Sequence, residues 1–134
     1  MLLKKVAEIE NTPYGVWGEN RWISCEPLKD KIDKAFKEKN FDKRSFQGNE
    51  AELIAEWNKG ASCFEEFRVC AENYHARRIA YFASKERGEP IILLNNEKKI
   101  SDGLHRLKAA IYLGLEEVEV IILPDNGGAR WTCL

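Results

Sequence analysis

The residues best suited to chemistry lie in one short segment, residues 101–106, which reads SDGLHR. A glycine between a strand and a helix lets the backbone approach a ligand closely, and the first-turn amides of the helix favour an anion. His105 is a candidate proton-transfer group, and Arg106 offers a fixed cationic fork for phosphate. Asp102 can cap the helix or ligate a metal held by a nucleotide.

The same segment also has a purely structural interpretation. Asp102 then serves only as a helix N-cap, Gly103 only as a tight turn, and His105 and Arg106 only as a solvated helix edge. Short motifs of this kind arise frequently by chance. The spacing alone therefore leaves both interpretations open.

A second cluster precedes the first, where residues 74–78 read YHARR. In a helix, His75 and Arg78 share a face because they are three residues apart, whereas Arg77 points elsewhere. The pair can line a pocket, or it can be a helix edge whose cations face solvent while Tyr74 lies in the core. The sequence leaves both interpretations open.

Hydrophobic periodicity indicates the elements that must position these clusters. A first strand is expected over residues 2–9, and three helical regions are expected to follow it. The first covers residues 28–36, and the second begins after Asn49 as its cap and ends at Gly60. The third covers residues 62–87, with a kink or break near Asn73. The last third predicts strands at 90–94, 98–100 and 118–123 around a helix at 104–113 that Gly114 ends. This order favours an α+β domain with a small mixed sheet flanked by helices.

Length and composition narrow the class of protein. The 134 residues suit a single domain over 1–134. The chain has 21 basic and 22 acidic residues and therefore a net charge of −1, which disfavours a protein that works mainly by binding the phosphates of duplex DNA. Four cysteines without a CxxC pair fit neither a disulfide framework nor a zinc site. Cys63 and Cys70 are expected to be buried, and a cytoplasmic location with no membrane span is expected.

The order of motifs resembles the ParB/sulfiredoxin superfamily, and in particular its small stand-alone ParB-like proteins. The resemblance follows a helix at residues 74–82, a strand that opens with Pro90 and Ile91, the run DGLHRLKAA at 102–110, a turn at Gly114, and a final strand at 118–120. It covers about residues 73–123, a ParB-like core, and leaves residues 1–65 unmatched. It implies a ParB/sulfiredoxin-like fold.

The resemblance also implies a nucleotide site. Gly103, His105 and Arg106 would contact the phosphates of CTP or ATP, and Asp102 would help to hold Mg²⁺ beside them. His75 or Arg78 would line the same pocket. Asp102 and His105 would then be the catalytic residues of a protein that hydrolyses or transfers phosphate.

Leu104 departs from the superfamily pattern. At this position sulfiredoxins carry their attacking cysteine and partition proteins carry a metal-associated glutamate, and a leucine can neither attack nor ligate. Sulfiredoxin chemistry is therefore not expected. The alternatives to a nucleoside triphosphate partner are a DNA- or protein-binding module of the same fold without catalysis, and a ParB-like nuclease. A homodimer is an assembly that the sequence leaves open.

Overall fold

A computed structural model describes residues 2–10, 26–46, 48–85, 90–94 and 99–123 of the chain. Within these ranges there are five helices and a four-stranded mixed sheet, so the predicted α+β class is confirmed. The elements are β1 (Leu2–Lys5), α1 (Val6–Glu10), α2 (Lys29–Glu38), α3 (Glu50–Lys59), α4 (Phe64–Ala83), β2 (Ile91–Leu94), β3 (Lys99–Asp102), α5 (Leu104–Leu113) and β4 (Glu117–Ile122). No helix in the described ranges is long and apolar enough to cross a membrane.

The chain divides into two compact units. The first combines Met1–Val16 with Arg87–Leu134, and the second is Trp17–Glu86. That they make up one domain over residues 1–134, as the length suggests, stays a prediction.

The first unit is built on the sheet, whose strand order is β1-β4-β2-β3. β1 is antiparallel to β4, β2 is parallel to β4, and β3 is antiparallel to β2. Alternate strand residues face one side, where α1 and α5 supply the rest of the core. The members of this core are Val6, Ile9, Ile91, Leu93, Leu107, Ala110 and Val120.

The second unit is helical, and its core lies between α3 and α4. Trp57 is at the centre of this core, 3% exposed. The Trp57 ring stacks on the Phe46 ring, with 6.1 Å between their centroids. It makes an edge-to-face contact with Phe67 and a tilted contact with Tyr74, each with 5.7 Å between centroids. Offset and edge-to-face ring contacts at such distances add to the area that these side chains bury. α2 packs against α4 and buries Ile32 and Ala35.

The first predicted strand, residues 2–9, is wrong in its second half. β1 ends at Lys5, and Val6 begins a short helix whose first amide donates a hydrogen bond to Glu116 O at 2.8 Å. Val6 and Ile9 are three residues apart, so one helical turn carries both into the core. The spacing was helical, not alternating.

Four further expectations in the second unit need correction. The predicted break near Asn73 is absent from the described chain, because α4 runs without interruption from Phe64 to Ala83. Asn49 makes no side-chain capping bond to α3, and its Nδ2 donates instead to Ser45 O at 2.8 Å. Cys63 is exposed and Cys70 is half-buried, so only Cys70 approaches the predicted burial. The predicted helical region 62–87 is also too long, because α4 ends at Ala83 with Ser84 as its C-cap residue.

Candidate functional site

Gly103 joins β3 to α5 and adopts a backbone conformation that favours glycine. Its φ is +118°, and its carbonyl accepts the first hydrogen bond of α5, from Leu107 N at 2.9 Å. A Cβ added at this position would lie 3.2 Å from Ile91 Cα and 3.3 Å from its Cγ1. The close approach that the sequence assigned to a ligand is therefore made, in the described structure, to the backbone of β2.

The first turn of α5 presents three amide groups, those of Leu104, His105 and Arg106, ahead of the first intrahelical hydrogen bond. Neither a side-chain cap nor an acidic residue occupies this described turn. First-turn amides and the positive end of the helix dipole together favour an anion at such a position. The segment therefore offers backbone donors whose charge is not offset by a carboxylate of the helix itself.

Asp102 is the last residue of β3, and its backbone pairs with Ile92. The N-cap position of α5 is occupied by Gly103, the residue after Asp102. The chain is still extended at Asp102 because β3 continues to pair with β2 up to the glycine. The Asp102 side chain lies outside the described structure, and its role toward Mg²⁺ stays a prediction.

Arg106 is oriented by the strand next to it. Its Nη1 donates a hydrogen bond to Pro90 O at 2.8 Å, and the side chain is half-buried. His105 is also half-buried, on the same first turn. A guanidinium held in one direction loses less conformational freedom when it binds phosphate than a mobile one does. The arrangement can hold an anion with backbone and side-chain donors together.

Leu104 has a structural role that accounts for its presence in the motif. Its side chain is partly buried and packs against the core that contains Leu107 and Val120. An apolar residue here anchors the start of α5 to the sheet. The residue between Gly103 and the His105–Arg106 pair therefore supports the fold in this chain.

The second cluster is buried in the second unit. His75 is 3% exposed and Arg78 is 8% exposed, so the interpretation of these residues as solvent-facing cations is wrong. The segment 41–45 covers Arg78, because Asp42 N donates to Arg77 O at 3.4 Å and Arg78 Nη1 donates to Lys43 O at 2.6 Å. That either residue lines a nucleotide pocket stays a prediction.

Sequence reasoning missed a charged network in the same segment. Asp42 is 6% exposed and accepts hydrogen bonds from the Arg44 side chain, Nη2 to Oδ2 at 2.8 Å and Nε to Oδ1 at 3.1 Å. Arg44 Nη1 also contacts Glu52 at 3.1 Å and Glu56 at 2.7 Å, and Arg77 lies 3.8 Å from Asp42. The two-residue spacing of Asp42 and Arg44 is a weak signal, since the other partners come from distant parts of the chain.

This network sets the ionisation of its members. Burial alone would raise the pKa of Asp42, but the hydrogen bonds and positive charge of Arg44, with Arg77 behind it, hold that pKa below its ordinary value. The hydrogen bond to Asp42 likewise raises the pKa of Arg44. Both groups are therefore charged at neutral pH, and they stabilise the segment 41–45 on α4.

No cluster of three or more His, Cys, Asp or Glu residues in the described ranges is arranged to hold a metal ion. Comparisons of the chain with protein-family models, with curated proteins and with solved structures find no match. The turn at Gly103 is the feature on which the functional proposal rests.

Proposed function

We propose that the chain binds a nucleoside triphosphate at the turn between β3 and α5 and hydrolyses or transfers its phosphate. The observation that carries this proposal is the combination at one helix end: a glycine with φ of +118°, the first-turn amides of α5, and an arginine oriented by a hydrogen bond to Pro90 O. Each is a feature that phosphate sites use. The ligand is CTP or ATP with its Mg²⁺.

Each residue of the turn has a distinct role in the proposal. The amides of Leu104, His105 and Arg106 bind phosphate oxygens, and the guanidinium of Arg106 offsets the charge that develops there. His105 orients a phosphate oxygen or moves a proton to or from it, and Asp102 helps to hold the Mg²⁺ of the nucleotide. Catalysis then rests on positioning and electrostatic stabilisation, which supply most of the rate in phosphoryl transfer.

The order of elements supports a ParB/sulfiredoxin-like fold for this part of the chain. β2, β3, α5 and β4 follow one another in the order that the resemblance implies, and they lie together in the first unit. Gly114, with φ of +73°, ends α5 at the predicted residue. The proposed fold and the proposed site thus rest on the same segment, residues 91–122.

Isothermal titration with CTP, ATP and GTP in MgCl₂ tests the proposal. The wild-type chain is expected to bind at least one of them, and Arg106→Ala to weaken binding by about tenfold or more, since a charge-assisted hydrogen bond contributes roughly 1.5–3 kcal/mol. Lys108→Ala is the matched control, because Lys108 is a half-buried cation on the same helix two residues further on. Absence of binding, or equal binding by Arg106→Ala, would contradict the proposal.

The place of Leu104 in the core favours a second candidate, a DNA- or protein-binding module of the same fold without catalysis. A gel shift across a salt series separates the two, because binding to duplex phosphates weakens steeply with salt. Plasmid nicking that Asp102→Asn abolishes would instead identify a ParB-like nuclease.

A further inference from the structure

Arg78 is a buried cation that forms no ion pair with a carboxylate of residues 26–46 and 48–85. Its side chain is 8% exposed. Its Nη1 donates to Lys43 O at 2.6 Å and lies 3.4 Å from Asp42 O, so both of these partners are neutral backbone carbonyls. The carboxylate of Asp42 pairs instead with Arg44 and Arg77. A buried cation of this kind is costly unless something compensates it.

The Nε of Arg78 is the unusual atom. It is buried, and among the described residues it has no hydrogen-bond partner. Buried hydrogen-bond donors are nearly always paired in folded proteins. An unpaired buried donor on a charged group therefore indicates a binding position for a ligand or an ordered water. Nη1 is held by Lys43 O, so Nε and Nη2 form the remaining edge of the guanidinium. That edge is the one on which arginine binds two oxygens of a single carboxylate or phosphate.

Two aromatic rings lie against the guanidinium of Arg78, and a second cation contacts the same rings. The Cζ of Arg78 lies 4.5 Å from the ring centroid of Phe82 and 5.6 Å from that of Tyr81. The Nζ of Lys85 lies 4.5 Å from the same Tyr81 centroid and 5.4 Å from that of Phe82. Such cation–π contacts favour the positions of both cations against the rings. The nearby Asp42 is already neutralised by its own arginines.

We infer that the Nε–Nη2 edge of Arg78 is a binding site for an oxyanion that presents two acceptor oxygens, a carboxylate or a phosphate group. The hydrogen bond to Lys43 O fixes the direction of the guanidinium, and the aromatic contacts hold its position on α4. All contacts that carry this inference lie within residues 41–85, in the second unit. The site therefore goes beyond the phosphate turn of the first unit and does not depend on it.

The Nε–H signal of Arg78 in ¹H–¹⁵N spectra of the full chain tests the inference. The signal, assigned by through-bond correlation, is followed while sodium phosphate or sodium acetate replaces sodium chloride at constant ionic strength. We expect a saturable shift of the Arg78 signal at millimolar anion. A shift with phosphate identifies the ligand as a phosphate group, and a shift with acetate identifies it as a carboxylate. The Nε–H of Arg68, which is on the same helix and 48% exposed, is the internal control.

Two variants sharpen the test. Arg78→Lys keeps the charge but removes the two-donor edge, and we expect it to weaken anion binding at least tenfold, measured from the amide signals of Tyr81 and Phe82. Arg106→Ala is expected to bind the anion as the wild type does, which separates this site from the phosphate turn. If Arg78→Lys does not fold, the wild-type titration decides. No anion-specific shift at Arg78 Nε–H, or a contact of that proton with water that neither anion displaces, would overturn the inference.

Discussion

Gly103 meets two requirements that a larger residue cannot meet. Its φ of +118° strains any L side chain, and a Cβ would lie 3.2 Å from Ile91 Cα, a backbone atom that cannot move aside easily. We expect Gly103→Ala to lower the free energy of unfolding by about 3 kcal/mol, combining backbone strain with overpacking. Urea denaturation followed by circular dichroism measures this loss.

Gly114→Ala is the matched control for that experiment. Gly114 also has a positive φ, +73°, but nothing lies within 4 Å of an added Cβ. Its substitution should therefore cost only the backbone strain of about 1 kcal/mol. Equal losses in the two variants would show that the contact with Ile91 does not matter.

Asp42 gives a pH-dependent contribution to stability. Because Arg44 and Arg77 hold its folded-state pKa below the unfolded value of about 3.9, its contribution is present above that pH and is lost as the pH falls through the folded-state pKa. Asp42→Asn should lower the free energy of unfolding by about 2 kcal/mol at pH 7, since it breaks a mostly buried ion pair. Denaturation at pH 7 and again below pH 4 checks whether this difference shrinks with acid.

Glu52→Gln is the control for Asp42, because both carboxylates contact Arg44. Glu52 is 60% exposed, so solvent screens its ion pair and the substitution should change stability by less than about 1 kcal/mol. If Glu52→Gln destabilised the chain as much as Asp42→Asn, burial would not be what makes the Asp42 contact important.

At the scale of elements, Tyr74 stabilises the contact of the segment 41–45 with α4. Its hydroxyl donates to Arg44 O, and burial raises the pKa of Tyr74 to about 12. Because the pKa of Tyr74 is higher in the folded state, its contribution to the free energy of unfolding is complete below the unfolded value of about 10. This contribution is lost as the pH rises toward 12. Tyr74→Phe should lower stability by about 1 kcal/mol at pH 7 and remove this alkaline dependence.

Urea unfolding at intervals from pH 7 to pH 11.5 measures the Tyr74 effect. Tyr81→Phe is the control, because Tyr81 is on the same helix and only half-buried. The explanation fails if Tyr74→Phe retains the alkaline loss of stability seen in the wild type.

Local signals were sufficient to predict the element that carries the candidate site. The predicted helix at 104–113 coincides with α5, because glycines with positive φ stand at both of its ends. The strands β2 and β4 fall within one residue of their predicted bounds, since each is a short apolar run next to turn residues. Boundaries set by neighbouring residues in the chain can be inferred from sequence alone.

What the sequence did not predict depends on contacts between distant segments. Arg78 is buried because residues 42 and 43, more than thirty positions earlier, place their carbonyls against it. The Asp42 network needs Glu52, Glu56 and Arg77 from two different helices. Helical periodicity placed His75 and Arg78 on one face, but it did not indicate what covers that face.

At the scale of the whole molecule, a net charge of −1 conceals a local excess of basic residues. Residues 98–108 contain four basic residues and one aspartate. A small cationic region on a near-neutral chain suits a triphosphate better than a long polyanion, whose binding would release many counterions. We therefore expect nucleotide binding to persist at 200 mM salt while duplex DNA shows no shift at that concentration. A DNA complex that survives 200 mM salt would favour the binding-module alternative.

The backbone amides of Leu104, His105 and Arg106 give the most direct test of the proposed phosphate turn. Their signals in ¹H–¹⁵N spectra of the full chain are followed as CTP or ATP is added with MgCl₂. We predict the largest shifts of the first unit at these three amides, saturating together, with much smaller shifts in the last turn of α5, at Tyr112 and Leu113. If the first-turn amides do not move while the nucleotide binds, or if no nucleotide moves them at millimolar concentration, the phosphate turn is not where this chain binds a nucleotide.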